Sequence, residues 1–177
     1  MDPVTVQANT EALQQAVQTV ANSPLNQSLG IFAAIAALAF AAIGSVLGTG
    51  TAANASIGAW KRCYAQGKPA SFMLLSFVGA PLSQTIYGMI LMFAMLGKVA
   101  TMPWQGLACI GVFSGVAIGL SAWFQGRAGA CAADAFGETD KGFTNYLASL
   151  GVIETVAIFV MVFAMIALGN YTPAVAA

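Results

Sequence analysis

Four long apolar stretches run along the chain, from Leu29 to Trp60, Ala70 to Leu96, Trp104 to Ala135 and Phe143 to Leu168, with polar residues gathered between them. About 20 residues cross a bilayer as an α-helix, so each stretch is long enough, and the first and third extend beyond the hydrocarbon by several turns. The pattern predicts an all-α membrane protein with four spanning helices. Ahead of them, residues 1–27 are polar and Gln-rich, without the basic start of an ordinary secretory signal. In this extension Val6, Leu13, Val17 and Val20 have loosely helical spacing, and Asn9 or Thr10 is placed to cap a short surface helix. A mobile tail is the other reading.

Composition agrees with the pattern: 59% of the 177 residues are hydrophobic, 7% are charged and the mean hydropathy is +0.81. Only Arg127 and Glu154 place a charge well inside a span. Lys61, Arg62, Lys68 and Lys141 lie in the connections within the two hairpins, against Lys98 alone between them. The bias of Lys and Arg toward the cytoplasm puts residues 61–69 and 136–142 inside and both termini outside. The chain has no His, and Cys63, Cys109 and Cys131 have no CxxC spacing, so no zinc, haem or iron–sulfur ligand set is offered. The cysteines are expected to be small packing residues.

The chain repeats itself. "SQTIYGMILMFAMLG" (83–97) lies over "IETVAIFVMVFAMIA" (153–167) at an offset of 70, and "SVLGTGTAANASIGA" (45–59) over "SAWFQGRAGACAADA" (121–135) at an offset of 76. The difference falls in the hairpin connection, where "YAQGKP" lengthens the first loop. The expected organisation is a tandem duplication: a polar extension (1–27), a first hairpin (28–97), and a second hairpin with a short C-terminal tail (98–177). Helices one and three are rich in Gly and Ala, whereas two and four carry Met, Phe, Leu and Ile. Small residues let helix backbones approach closely in lipid, which suits a crowded inner layer within a bulkier outer one. A ring of many copies uses that texture fully; a single four-helix bundle is the other use.

In this alignment Gln84 is the counterpart of Glu154, and Thr49 of Gln125, so one half carries the acid and the other an amide. A carboxylate at mid-membrane costs about 2.5–3.5 kcal/mol on insertion scales and marks an ion or proton pathway by default. Near it in the predicted packing stands "GAPLSQTIYG" (79–88), where Pro81 cannot donate its N–H and frees carbonyl oxygen, and Ser83, Gln84 and Tyr87 follow. Helix three adds Gln125. One carboxylate, two amides, a hydroxyl and loosened carbonyls form an all-oxygen set suited to a hard cation, and a single negative charge points to a monovalent one, sodium before calcium. The same residues also serve as interhelical hydrogen-bond glue around a protonated Glu154. Arg127, two residues past Gln125, is expected to face elsewhere, with a direct pair to Glu154 as the alternative. Asn54 and Thr49 read as packing polars, and "GTG" (48–50) lacks the Lys-Ser/Thr of a nucleotide loop.

Over residues 28–169 the motifs "GAPLSQTIYG", "FQGRAGACAADAFG" and "IETVAIF" resemble the proteolipid K subunit of bacterial V-type (V/A-type) ATPases. That resemblance implies a duplicated hairpin assembled into a two-layer rotor ring in the bacterial cell membrane. It implies sodium held by Glu154, Gln125, Gln84, Ser83 and the Ala80 carbonyl, with Tyr87 locking the occupied carboxylate. It further implies no catalytic residue and no nucleotide on this chain, and partners in copies of itself, a stator membrane subunit and the central stalk of the ATPase. Ser83 stands where a threonine is familiar in the sodium type and keeps the hydroxyl. Two other readings remain: the same rotor carrying H+, and a small four-helix transporter or channel module outside any ATPase.

Overall fold

The computed structural model describes residues 3–21 and 23–171. They form α1 (Pro3–Ala21), α2 (Pro24–Ala65), α3 (Leu74–Gly79), α4 (Ser83–Leu96), α5 (Trp104–Thr139) and α6 (Phe143–Gly169), with a 3-10 turn, Ala80–Leu82, joining α3 to α4. Four units, α2, α3–α4, α5 and α6, are long and apolar enough to cross a membrane. Helices α2 and α5 run further than the apolar pattern alone indicates. Lys61 and Arg62 therefore ride on the last turns of α2, where Arg62 pairs with Asp134 and Glu138 of α5.

Helix α1 corrects one expectation. It begins at Pro3, which fits a first helical turn, so Asn9 and Thr10 are interior and the Thr10 hydroxyl donates to Val6 O at 2.8 Å instead of capping. The Val17 and Val20 side chains of its apolar face lie outside the described residues, as does the tail beyond Tyr171. A separate start then opens α2: the Ser23 side chain accepts from Asn26 N at 3.2 Å, with Pro24 in the first turn.

Helices α2 and α5 run parallel and touch backbone to backbone. Gly111, Gly115 and Gly119 recur every fourth residue on α5, and Ala33, Ala37, Gly44 and Gly48 answer them on α2. A Cβ at Gly126 would overlap the Gly48 backbone, and one at Gly44 the Gly119 backbone. Such contact recovers dispersion energy over a long seam where lipid supplies little hydrophobic drive. The α3–α4 unit lies against both α2 and α5, while α6 rests on α5 and α4 and keeps most of its bulky side chains outward. The inner and outer textures of the sequence are thus separated in space.

The connections are pinned by single side chains. Buried Asn26 donates to Val99 O and Met102 O, each at 3.4 Å, and accepts from Trp104 N at 2.9 Å, clamping the link between hairpins. At the opposite end Trp60 Nε1 donates to Ser71 O at 2.8 Å, and Phe77, Phe136, Phe143 and Tyr146 close an aromatic cluster. Cys63 is buried there, but Cys109 and Cys131 are exposed on the single chain, so the expected packing role fits only the first.

The seam gives a direct expectation. Gly126→Ala and Gly44→Ala each force the two inner helices apart and should lower stability by about 1–3 kcal/mol. Gly169→Ala, at a site with open space, should leave it unchanged. Thermal unfolding in detergent checks the contrast; equal melting of all three variants would contradict the seam.

Candidate cation site

Pro81 sets the geometry. Without an N–H it cannot bond the Phe77 carbonyl, which faces Gly129 of α5, and the backbone tightens into the 3-10 turn Ala80–Leu82. The turn brings Ser83, Gln84 and Tyr87 onto the side of α4 that meets α5 and α6. The Ser83 hydroxyl lies 3.1 Å from Ala80 O and 3.2 Å from Gln84 Oε1, and can donate to either.

From Gln84 the bonds continue across three helices. Gln84 and Gln125 are fully buried, and Gln84 Nε2 donates to Gln125 Oε1 at 2.8 Å. Gln125 Nε2 donates to Leu150 O at 3.0 Å and to Glu154 Oε2 at 3.4 Å. The Tyr87 hydroxyl donates to Glu154 Oε1 at 2.6 Å. Glu154 itself is half-buried. The structure therefore joins Ala80 O, Ser83, Gln84, Gln125, Glu154 and Tyr87 into one continuous set.

Its depth follows from helix rise. Glu154 is eleven residues into α6, about 16 Å from the helix start, and about 22 Å from its end, which places it within the hydrocarbon of a spanning helix. Arg127 does not reach it. That side chain is exposed on another face of α5 with its guanidinium 5.6 Å from the Phe124 ring centroid, so the alternative pair with Glu154 is not formed. Asn54 is likewise exposed and away from the set.

Two members were missed by sequence reasoning. Leu150 contributes a carbonyl one turn before Glu154, and Ser121, one turn before Gln125, donates to Ile153 O at 3.0 Å. A backbone oxygen carries no sequence signal. Ser121 does: it shares the Gln125 face at four-residue spacing.

Chemically, one carboxylate stands among neutral oxygens and two amides, with a phenol bonded to it. A hydrogen bond from a phenol to a carboxyl group gains strength when the carboxyl is ionised, to about 1.5–3 kcal/mol, so Tyr87 favours the ionised form over the protonated one. Tyr87→Phe should therefore speed carbodiimide labelling of Glu154 about tenfold at fixed pH, measured on the purified chain. An unchanged rate would show that the phenol does not restrain the carboxylate.

No curated protein matches the chain. Residues 107–167, which span most of α5 and α6 and include Gln125 and Glu154, match the family model for the ATP synthase C subunit. The second hairpin is thus similar to the ATP synthase C subunit, a non-catalytic membrane subunit.

Proposed function

We propose that this chain is the rotor-ring subunit of a V-type ATPase membrane sector, of the proteolipid K type, and that it carries Na+ at Glu154. The observation that carries the reading is the single carboxylate engaged by Gln125 and Tyr87 and continued by Gln84, Ser83 and Ala80 O. A half-turn of the Gln125 amide presents its oxygen, with Leu150 O, to a cation beside Glu154, and it requires Gln84 to turn as well, because Gln84 Nε2 now donates to Gln125 Oε1. One monovalent ion then neutralises the site.

Neutrality is the physical requirement of a rotor. An ionised carboxylate is expensive in lipid, whereas a carboxylate with bound Na+ rotates through it cheaply. ATP hydrolysed in separate soluble subunits turns a ring of these chains past a stator membrane subunit, whose basic side chain weakens cation binding at Glu154 and lets ions leave on one side and load on the other. The connections around residues 61–69 and 136–142 face the cytoplasm in this reading and meet the central stalk, with both termini outside. The first hairpin then repeats the second, with Gln84 in place of the acid, so each chain carries one ion.

One observation favours a second reading. The Tyr87 hydroxyl, 2.6 Å from Glu154 Oε1, can accept as well as donate, so it can take the hydrogen of a protonated carboxyl without further oxygens. The same rotor would then carry H+.

Carbodiimide labelling of Glu154 separates the two. Sodium at constant ionic strength should protect where potassium does not, and Gln125→Ala or Gln84→Ala should weaken protection about tenfold or more. Labelling that follows pH alone, with no effect of sodium, assigns the proton.

A further inference from the structure

Gly50 of α2 and Gly126 of α5 are counterparts in the internal repeat, yet their surroundings differ. A Cβ on Gly126 would overlap the Gly48 backbone, whereas one on Gly50 would touch nothing within 4 Å. Glycine weakens a helix relative to alanine, and its use in a membrane span is to let another helix come close. Nothing in the same chain comes close to Gly50.

Two exposed aromatic side chains pose the matching question. Phe113 and Phe124 of α5 are 72% and 51% exposed. They are eleven residues apart, close to three full turns, so they share one face. That face is turned away from the seam that Gly111, Gly115 and Gly126 make with α2. Lipid tolerates an exposed phenylalanine, so exposure alone assigns no partner.

The repeat supplies the partner and the register. Within the chain Gly115 lies against Ala37, and Gly126 against Gly48. At the repeat offset of 76, Ala37 and Gly48 correspond to Phe113 and Phe124, while Gly115 and Gly126 correspond to Ala39 and Gly50. A second copy set against α5 as α5 is set against α2 therefore brings its Ala39 opposite Phe113 and its Gly50 opposite Phe124. Ala39 and Gly50 are small, exposed and also eleven residues apart, so both aromatic rings meet a notch. A slip of one turn would set the rings against Ile35 and Val46, or against Ile43 and Asn54, all of them larger. The register of the in-chain seam is thus the one in which large faces small at both levels.

We infer that copies of this chain join head to tail, with Phe113 and Phe124 of one copy seated over Ala39 and Gly50 of the next. Such a contact uses a different patch on each copy, and it closes into a ring when the rotation per copy divides the circle. Two kinds of seam then alternate: backbone against backbone within each chain, and aromatic rings in notches between chains. The inference rests on the ring of the proposed function and not on its ion.

The size of the full chain extracted in mild detergent tests this, with helix content followed by circular dichroism. Gly50→Leu fills one notch, and because a Cβ there meets nothing of its own chain, helix content should stay at the wild-type level. Its yield of rings should fall about tenfold, the effect of overpacking one contact, and adding Phe124→Ala should restore most of the loss. Rings that survive Gly50→Leu overturn the inference and leave the rotor reading standing, as does a loss of rings that Phe124→Ala fails to reverse. A wild-type chain that forms no ring overturns both. Rings that obey the exchange, while neither sodium nor pH alters labelling of Glu154, keep the interface and remove the ion.

Discussion

The restraint of one carboxylate at bilayer depth organises this molecule. Glu154 lies far from either end of α6, where bulk water cannot solvate it, so the protein itself must supply its partners. Tyr87 and Gln125 engage its two oxygens, and every other member of the set is placed by what those two require. Gln125 must be buried to reach Glu154, and its carbonyl then needs a donor, which Gln84 provides. Gln84 in turn needs its own carbonyl satisfied, and Ser83 stands beside it. The set is a chain of obligations that begins at a single acid.

Meeting them requires three helices to hold their relative positions to a fraction of an ångström. The glycine and alanine seam between α2 and α5 supplies the rigid base for this, two backbones in contact with no soft side chains between them, and α4 packs against both while α6 rests on α5 and α4. The Pro81 turn adds the second element: it tightens the outer helix at the level of the site and joins Ala80 O, Ser83 and Gln84 to one another and, through Gln84, to Gln125. Clamps at both ends, Asn26 at one and Arg62 with the aromatic cluster at the other, fix the connections so that the seam keeps its register.

Much of this was legible in the sequence because a membrane makes polar residues conspicuous. Glu154, Gln84 and Gln125 stand out in apolar runs, Pro81 announces a break in the backbone ladder, and alternating textures separate inner from outer helices. What stayed hidden had no side-chain signature. The Leu150 carbonyl belongs to a residue that reads as lipid-facing or core, and the last turns of α2 look like a loop because Lys61 and Arg62 are charged, although Asp134 and Glu138 of α5 give Arg62 its partners. The start of α1 was misplaced for a related reason: Asn9 and Thr10 are good caps, but Pro3 already satisfies a first turn. Thr49, read as a packing polar, proves to be a buried hydroxyl without a partner, which only three-dimensional packing reveals.

The proposed site takes one cation per chain, with Glu154 as its charge. Equilibrium binding of radioactive sodium to purified rings puts that to the test without an intermediate step. Saturation at one ion per chain is expected, with competition by protons but not by potassium, and complete loss of binding in Glu154→Gln. Absence of saturable sodium binding, or binding that survives Glu154→Gln, would contradict it.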